Sequence, residues 1–197
     1  MKTLSHNGST KERIIKATLD IMADEGFQNV TVRKISTRAD VNIAAVNYHF
    51  GSKDMVIDKA LKYVTAQMKK VFNILKENDQ PAAVRLSNFI QTYADTVYKY
   101  PDIVRYMIDQ KIHHSNAPVE YSAYLEQEGI HLIHHTLQEL HPDEDEARIY
   151  MRTLQILGCI SFPILMGATV QQYSGLDLNE KSSRNILIEL LTEQMIK

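Results

Sequence analysis

The sequence has little of what marks a secreted, disulfide-bonded or membrane-spanning protein. Cys159 is the only cysteine, which excludes an intramolecular disulfide framework and fits a reducing cytoplasm. The opening residues, MKTLSHNGSTKE, contain no apolar segment of the kind that a signal peptide requires. The most apolar run, 156–170, is interrupted by Gly158 and Pro163 and is too short to span a bilayer. We therefore expect a cytoplasmic protein that does not enter a membrane.

Strand-like alternation is also absent, because no segment of useful length alternates apolar and polar residues with a period of two. Apolar residues recur instead at three- and four-residue spacings along most of the 197 residues, for example at Leu86, Phe89, Ile90 and Tyr93. The chain is long enough to bury a core of its own. These patterns predict an all-α protein without a sheet.

Charge is spread unevenly along the chain. Residues 1–54 contain eight Lys and Arg against six Asp and Glu, a balance of +2. The remaining residues have a balance of -4, so the net charge is -2. A generally basic nucleic-acid coat is thus excluded, while a mildly basic N-terminal part still permits contact with DNA.

Capping residues divide the N-terminal part into short helices. Ser9 and Glu12 form a capping box that begins the first helix, and Gly26 is suited to end it. Thr31 and Asn42 each stand before a short apolar pattern, where their side chains can accept hydrogen bonds from free backbone amides. Three helices are therefore predicted before residue 51.

The second and third of these helices have the lengths of a helix-turn-helix. We predict helices over 32–39 and 43–50, joined by a tight turn at Asp40-Val41, with Val46 and Phe50 facing inward. Small residues on the outer face of the third helix permit close approach to bases, and polar residues at its end can donate to phosphates. By spacing alone, the same three helices also fit an ordinary helical subdomain.

Specific motifs in this part resemble the DNA-binding domain of the TetR family of bacterial transcriptional repressors. The resemblance rests on Ala17, Gly26-Phe27, the stretch TVRKI at 31–35, and the stretch VNIAAVNYHFGSK at 41–53. It implies a helix-turn-helix domain at 1–53 and an all-helical domain for effector binding and dimerisation at 54–197. The DNA-contacting residues that it implies, together with the chemistry above, are Thr31, Arg33, Asn42, Ile43, Ala44, Ala45, Asn47, Tyr48, His49 and Lys53.

The resemblance also implies a function and partners. We expect a ligand-responsive regulator, most simply a repressor that a small-molecule effector releases from a palindromic double-stranded operator. We expect no enzymatic activity, no catalytic residue, no cofactor and no metal. The helix-turn-helix departs from the family pattern in two places: Asp40 occupies a position where glycine is usual, and Ile43 and Ala44 replace the commoner polar or basic residue and glycine. Base readout then depends on apolar contact with thymine methyl groups and on Asn47.

The C-terminal part reads as a series of longer helices. One of them is predicted to run from about 142 to 173 with a kink at Pro163. Its apolar residues, with those of the last helix, form either an interior face of the monomer or, as the resemblance implies, a homodimer interface made by the last two helices. Cys159 lies among apolar neighbours, which favours a buried, inert thiol.

Aromatic residues in the middle of the chain suggest where an effector would bind. Tyrosines in a helical bundle mostly pack between helices, but aromatic walls with a few polar groups also form small-molecule pockets. The resemblance implies a pocket between the middle helices, whose candidate lining residues are then Tyr93, Met107, His114, Tyr124 and His131.

The histidines support a second hypothesis, an all-helical metal-binding protein or enzyme. This hypothesis uses His113, His114, His131 and His135, of which the last two have the i, i+4 spacing of metal ligands on one helix face. The HExxH signature is absent. A helical adaptor that only dimerises or binds protein is a third hypothesis.

Overall fold

A computed structural model describes residues 8–113 and 120–197, and this part of the chain is helical and contains no strand, which confirms the predicted all-α class. The chain divides into two compact units, Met1–Val64 and Thr65–Lys197, and the division falls within the fourth helix. The helices are α1 (Thr10–Glu25), α2 (Val32–Ala39), α3 (Ile43–Phe50), α4 (Lys53–Phe72), α5 (Ala82–Lys99), α6 (Pro101–His113), α7 (Glu120–Tyr124), α8 (Ile130–Leu140), α9 (Glu146–Leu165), α10 (Gly167–Ser174) and α11 (Lys181–Ile196).

The first unit is held together by the apolar faces of α1, α2 and α3. Ile14, Ile21 and Met22 of α1 are fully buried, as is Ile35 of α2. The predicted capping box begins α1: the Glu12 amide donates to Ser9 Oγ at 3.3 Å, and the Ser9 amide donates to Glu12 Oε2 at 2.7 Å. Two orphan amides at the helix start are thus satisfied reciprocally.

The second unit has α5 at its centre. This helix packs against α8, α9 and α11, and its Leu86, Phe89 and Ile90 are fully buried. Pro81 precedes the first turn of α5 as its N-cap residue, which suits a residue without an amide hydrogen. The apolar spacing read from the sequence is therefore the packing face of the helix that the rest of the unit surrounds.

The predicted long helix of residues 142–173 is wrong in one respect: it is two helices. A sharp break at Met166 separates α9 from α10, and the two helix axes differ by 90°. The break lies after Pro163 rather than at it. Arg105 of α6 donates to the Ile164 carbonyl through Nη2 at 2.8 Å and Nε at 3.2 Å, so a side chain distant in sequence satisfies a carbonyl at the end of α9.

A π-helical turn, Leu125–Gly129, joins α7 to α8. Gly129 is buried at the end of this turn. A Cβ atom added there would lie 3.1 Å from Phe72 Cε1 and 3.1 Å from Leu125 Cδ2. The turn therefore lets the chain backbone approach the Phe72 ring more closely than any residue with a side chain would permit.

Substitution Gly129→Ala is expected to lower the free energy of unfolding by about 1–3 kcal/mol, because the added methyl group overpacks the contact with Phe72. Helix propensity alone would change stability by about 1 kcal/mol in the opposite direction. Denaturant unfolding followed by circular dichroism measures the difference. Gln127→Ala, at an exposed position of the same turn, is the control and should change stability by less than about 0.5 kcal/mol.

Within residues 8–113 and 120–197, no single helix is both long and apolar enough to cross a membrane. The bent pair of α9 and α10 reaches that length and composition only when both helices are taken together.

Candidate nucleic-acid interface and buried aromatic cluster

The turn between α2 and α3 has the geometry that a helix-turn-helix needs. Thr31 caps α2, with its Oγ1 accepting from the Lys34 amide at 3.2 Å, and Asn42 caps α3, with its Oδ1 accepting from the Ala45 amide at 2.6 Å. Between the helices, Asp40 adopts the left-handed conformation with φ 52° and ψ 55°. Both caps and the turn thus lie where the sequence predicted them.

The third helix has one buried face and one free face. Val46 and Phe50 are buried in the first unit, which confirms their predicted inward orientation. Ile43 is half exposed, and Tyr48 is 86% exposed although it is a large aromatic residue. Ala44 and Asn47 are exposed as well. A helix that presents small, apolar and amide side chains to solvent on one face is suited to insertion into a major groove.

Other predicted contact residues surround this free face. Thr31, Arg33, Asn42 and Lys53 are exposed, while Ala45 and His49 are partly buried. The side-chain oxygen of Asn42, Oδ1, accepts the capping hydrogen bond from the Ala45 amide. The side-chain amide hydrogens of Asn42 are therefore the groups that it can still donate. The structure therefore places the predicted residues on the surface of one compact unit.

Ion pairs on α2 were not evident from the sequence. Lys34 Nζ lies 2.6 Å from Glu25 Oε2, and Arg38 lies 2.7 Å from Asp24 Oδ2 and 3.1 Å from Glu25 Oε1. Two of the eight basic residues of the N-terminal part are therefore neutralised by carboxylates at the end of α1. Arg33 and Lys53, which are exposed, are not among the basic residues that these carboxylates neutralise.

A second unforeseen contact links α1 to the turn. The Arg13 guanidinium donates to the Ala39 carbonyl through Nη2 at 2.7 Å and Nε at 3.1 Å, and Nη2 also donates to the Asp40 carbonyl. The partners are 26 and 27 residues apart in the sequence, so no local spacing signals the contact.

In the second unit, five aromatic residues form a buried cluster around Phe72, hereafter the Phe72 cluster: Phe72, Phe89, Tyr93, Tyr121 and Tyr124. The Phe72 ring lies 4.9 Å from Phe89, 5.7 Å from Tyr93 and 5.5 Å from Tyr124, centroid to centroid. The Tyr93 and Tyr121 hydroxyls are 3.0 Å apart. The Tyr124 hydroxyl is buried and has no hydrogen-bond partner among the described residues.

Burial raises the pKa values of the tyrosines in this cluster. Desolvation raises the pKa of Tyr124 to about 12, with a contribution from the charge of Glu128. Desolvation also raises the pKa of Tyr93 and, further, that of Tyr121. At neutral pH the cluster thus offers uncharged hydroxyl groups within an apolar wall, which is the chemistry of a small-molecule site.

The predicted effector residues are only partly brought together. Tyr93 and Tyr124 both pack on Phe72, and Met107 is buried in α6. His131 is exposed, so the structure does not place it with the cluster. His114 lies outside the described residues. Tyr121 and Phe72 were not predicted as lining residues, because nothing in the sequence distinguishes them from the other aromatic residues nearby.

The histidines are arranged separately. His134 is buried against Tyr150 at 4.3 Å between ring centroids, whereas His135 is exposed and its Nδ1 lies 3.0 Å from Glu139 Oε1. The His113 side chain lies outside the described part. Among the residues that are described, no group of three or more His, Cys, Asp or Glu side chains is placed to hold a metal ion.

The last long helices leave an apolar face uncovered. Leu154 is 59% exposed and Leu190 is 63% exposed, and the other large exposed side chains of this face are Met151, Phe162 and Leu165 of α9 and Ile186 of α11. Gly158 stands in the middle of the α9 stripe with no atom within 4 Å of an added Cβ. Cys159 is exposed, so the predicted burial of its thiol is wrong for a single chain: it lies on the side of α9 away from the core.

The fold and the first unit together define a helix-turn-helix protein with a larger helical second unit. The model for "Bacterial regulatory proteins, tetR family" matches residues 14–60. Over 104 residues the chain is 24% identical to the HTH-type transcriptional repressor NicS of Pseudomonas putida, covering 53% of this chain and 49% of NicS, about half the length of that relative.

Solved structures extend the similarity of fold to nearly the whole chain. A TetR-like transcriptional regulator from Rhodococcus sp. RHA1 superposes with a TM-score of 0.68 at 13% identity, over 94% of this chain and 93% of that one. FadR from Bacillus subtilis gives a TM-score of 0.61 at 19% identity, over 92% and 97% respectively. Residues 14–60 are thus similar to bacterial regulatory proteins of the tetR family, and the chain shares its fold with a TetR-like regulator.

Proposed function

We propose that this protein is a dimeric, ligand-responsive transcriptional regulator, most simply a repressor, that binds a palindromic DNA operator. The free face of α3 carries this proposal, because its exposed Ile43, Ala44, Asn47 and Tyr48 have no structural role that accounts for their exposure. Residues 1–53 read DNA, and residues 54–197 bind the effector and form the dimer.

Each α3 enters a major groove with its N-terminal half foremost. Ala44 and Ala45 are small enough for close approach, Ile43 provides apolar surface for a thymine methyl group, and Asn47 can form a bidentate contact with adenine. Tyr48, His49 and Lys53 contact phosphates at the exit of the helix, while Thr31 and Arg33 contact phosphates at the start of α2.

Dimerisation occurs through α9 and α11. The exposed leucines of these two helices, Leu154 and Leu190, support this interface, since an exposed apolar face of this extent marks a surface for association. A two-fold dimer presents two copies of α3 to two half-sites of a palindrome. Without a partner subunit, the operator would be read one half at a time.

The effector binds at the Phe72 cluster of the second unit. The Tyr124 hydroxyl supports this location, because a buried hydroxyl without a partner is costly and a ligand group can satisfy it. We infer an effector with apolar or aromatic surface and at least one hydrogen-bonding group. Since FadR of Bacillus subtilis, which shares the fold, is known in complex with stearoyl-CoA, acyl-CoA thioesters belong in the first panel of compounds.

Selection from random-sequence DNA by the purified protein tests the function. The expected result is a palindromic sequence whose two half-sites are about one helical turn apart, bound with an affinity that falls steeply with salt. Failure to enrich any sequence would contradict operator recognition. An effector identified by thermal shift should then change the affinity for this selected operator, and equal affinities with and without the compound exclude induction by it.

Lys53→Gln is expected to weaken binding to the selected operator mainly through the loss of a phosphate contact. Lys53 is exposed at the start of α4. The slope of log affinity against log salt should fall by about 0.9 for each protomer, or by about 2 for a dimer. Fluorescence anisotropy at four salt concentrations measures this slope. Lys70→Gln, an exposed lysine of the second unit, is the control and should leave the slope unchanged.

A further inference from the structure

The turn that orients α3 depends on an unfavourable backbone conformation. Asp40 is the only residue other than glycine with a positive φ among the described residues, at φ 52°. A side chain makes this left-handed region costly, although Asp tolerates it better than most residues. The direction in which α3 leaves α2 is determined here, so any drift of Asp40 toward the right-handed region would rotate the reading helix.

Arg13 is placed to hold this conformation. Its guanidinium spans the Ala39 and Asp40 carbonyls, so that it bonds to both peptide units that flank Asp40. The planar fork of an arginine fixes two acceptors relative to each other, which a lysine ammonium does not. The positive charge also lies at the C-terminal end of α2, where the helix dipole favours it.

Arg13 lies on a well-packed part of α1. Arg13 precedes Ile14, which is fully buried, and follows the capped first turn of α1. The Arg13 side chain is partly buried, and each of its described hydrogen bonds ends on a carbonyl of the turn. The core of the first unit is thereby connected directly to the residue that determines the angle of α3.

We propose that Arg13 is a positioning residue for DNA recognition: it acts through the Asp40 turn and does not contact DNA. This inference rests on the proposed operator binding, and it adds to that function the residue that preorganises the reading helix. Because the turn is already ordered before DNA binds, the binding free energy does not include the cost of orienting α3.

Four variants test the inference on the operator selected with the wild-type protein: Arg13→Gln, Arg13→Lys, Asp40→Gly, and Arg13→Gln combined with Asp40→Gly. Arg13→Gln should weaken operator binding about tenfold and leave the salt slope unchanged, because no phosphate contact is lost. Arg13→Lys should bind the operator with an affinity between those of Arg13→Gln and the wild type. Glycine at position 40 removes the steric cost of positive φ, so the double variant should recover at least half of the loss on a logarithmic scale.

A structural readout separates positioning from general destabilisation. The Val41 amide donates to the Ser36 carbonyl at 3.0 Å across the turn, so its hydrogen exchange reports whether the turn is closed. In Arg13→Gln this amide should exchange faster, while amides in the middle of α1 keep wild-type rates. Lys16→Gln removes the same charge from an exposed position on the same helix and should leave affinity within about twofold.

Several results would overturn the inference. The first is an Arg13→Gln protein that binds the operator with wild-type affinity. The second is a salt slope reduced by about 2 for the dimer, which would show that Arg13 contacts a phosphate. The third is a loss of operator affinity in Arg13→Gln that the added Asp40→Gly substitution does not relieve. If Arg13→Gln does not fold, Arg13→Lys with and without Asp40→Gly provides the same comparison. Failure of the wild-type protein to select any operator is a different result, which would count against the proposed function itself.

Discussion

Replacement of Leu154 or Leu190 by glutamate is expected to convert the protein into a monomer and to weaken operator binding by at least about 100-fold. Both side chains are more than half exposed in the single chain, on the face formed by α9 and α11. A carboxylate buried against the same face of a second copy would be desolvated without a partner. Loss of the dimer then removes the gain that comes from linking two half-site contacts, which is commonly 100- to 10,000-fold.

Sedimentation velocity and operator titration at matched protomer concentrations measure the two effects. Val84→Glu is the control, because Val84 is an exposed apolar residue that belongs to α5 and to neither α9 nor α11. This variant should remain a dimer and bind the operator as the wild type does. A Leu154→Glu protein that sediments as a dimer would show that the interface lies elsewhere.

Phe72→Ala is expected to lower the free energy of unfolding of the second unit by about 3–5 kcal/mol. Phe72 is fully buried and contacts three other aromatic rings, and Gly129 approaches its ring edge. Removal of the ring leaves a cavity that the surrounding helices cannot close without shifting the π-helical turn. A loss of this size is a large part of the stability of an ordinary domain.

The chain has no tryptophan, so near-ultraviolet circular dichroism of the tyrosines is the direct probe of this transition. Phe72→Leu is the matched variant: it keeps most of the apolar volume and should cost less than half as much. Protein concentration must be equal in all samples, because dimerisation adds to the apparent stability. A cost below about 1 kcal/mol for Phe72→Ala would contradict the central role of this ring.

Local hydrogen bonding and apolar spacing explain why the helix-turn-helix could be predicted from the sequence. The capping residues Ser9, Thr31 and Asn42 accept hydrogen bonds from amides three residues further along the chain, so short spacings were sufficient to place the helix starts. The inward faces of α1 and α3 likewise follow from the three- and four-residue spacing of apolar side chains. These effects act within one or two helical turns, and the sequence displays them directly.

The errors concern features that depend on tertiary structure. The kink was predicted at Pro163 but the break lies at Met166, close to the Ile164 carbonyl that Arg105, 59 residues away, bonds at the end of α9. Cys159 was expected to be buried because its neighbours are apolar. It is exposed because it lies on the outer side of α9, whereas its neighbour Ile160 on the same helix is fully buried.

Residue types at short spacings were sufficient to predict the all-α class, the caps and turn of the helix-turn-helix, and the resemblance of the N-terminal part to a regulator family. Tertiary structure alone decided which charges are free, which aromatic rings meet at Phe72, and how Arg13 reaches the Asp40 turn. The physical reason is the same in each case. A hydrogen bond, an ion pair or a ring contact depends on where the folded backbone brings two side chains, and separation along the chain does not predict that position.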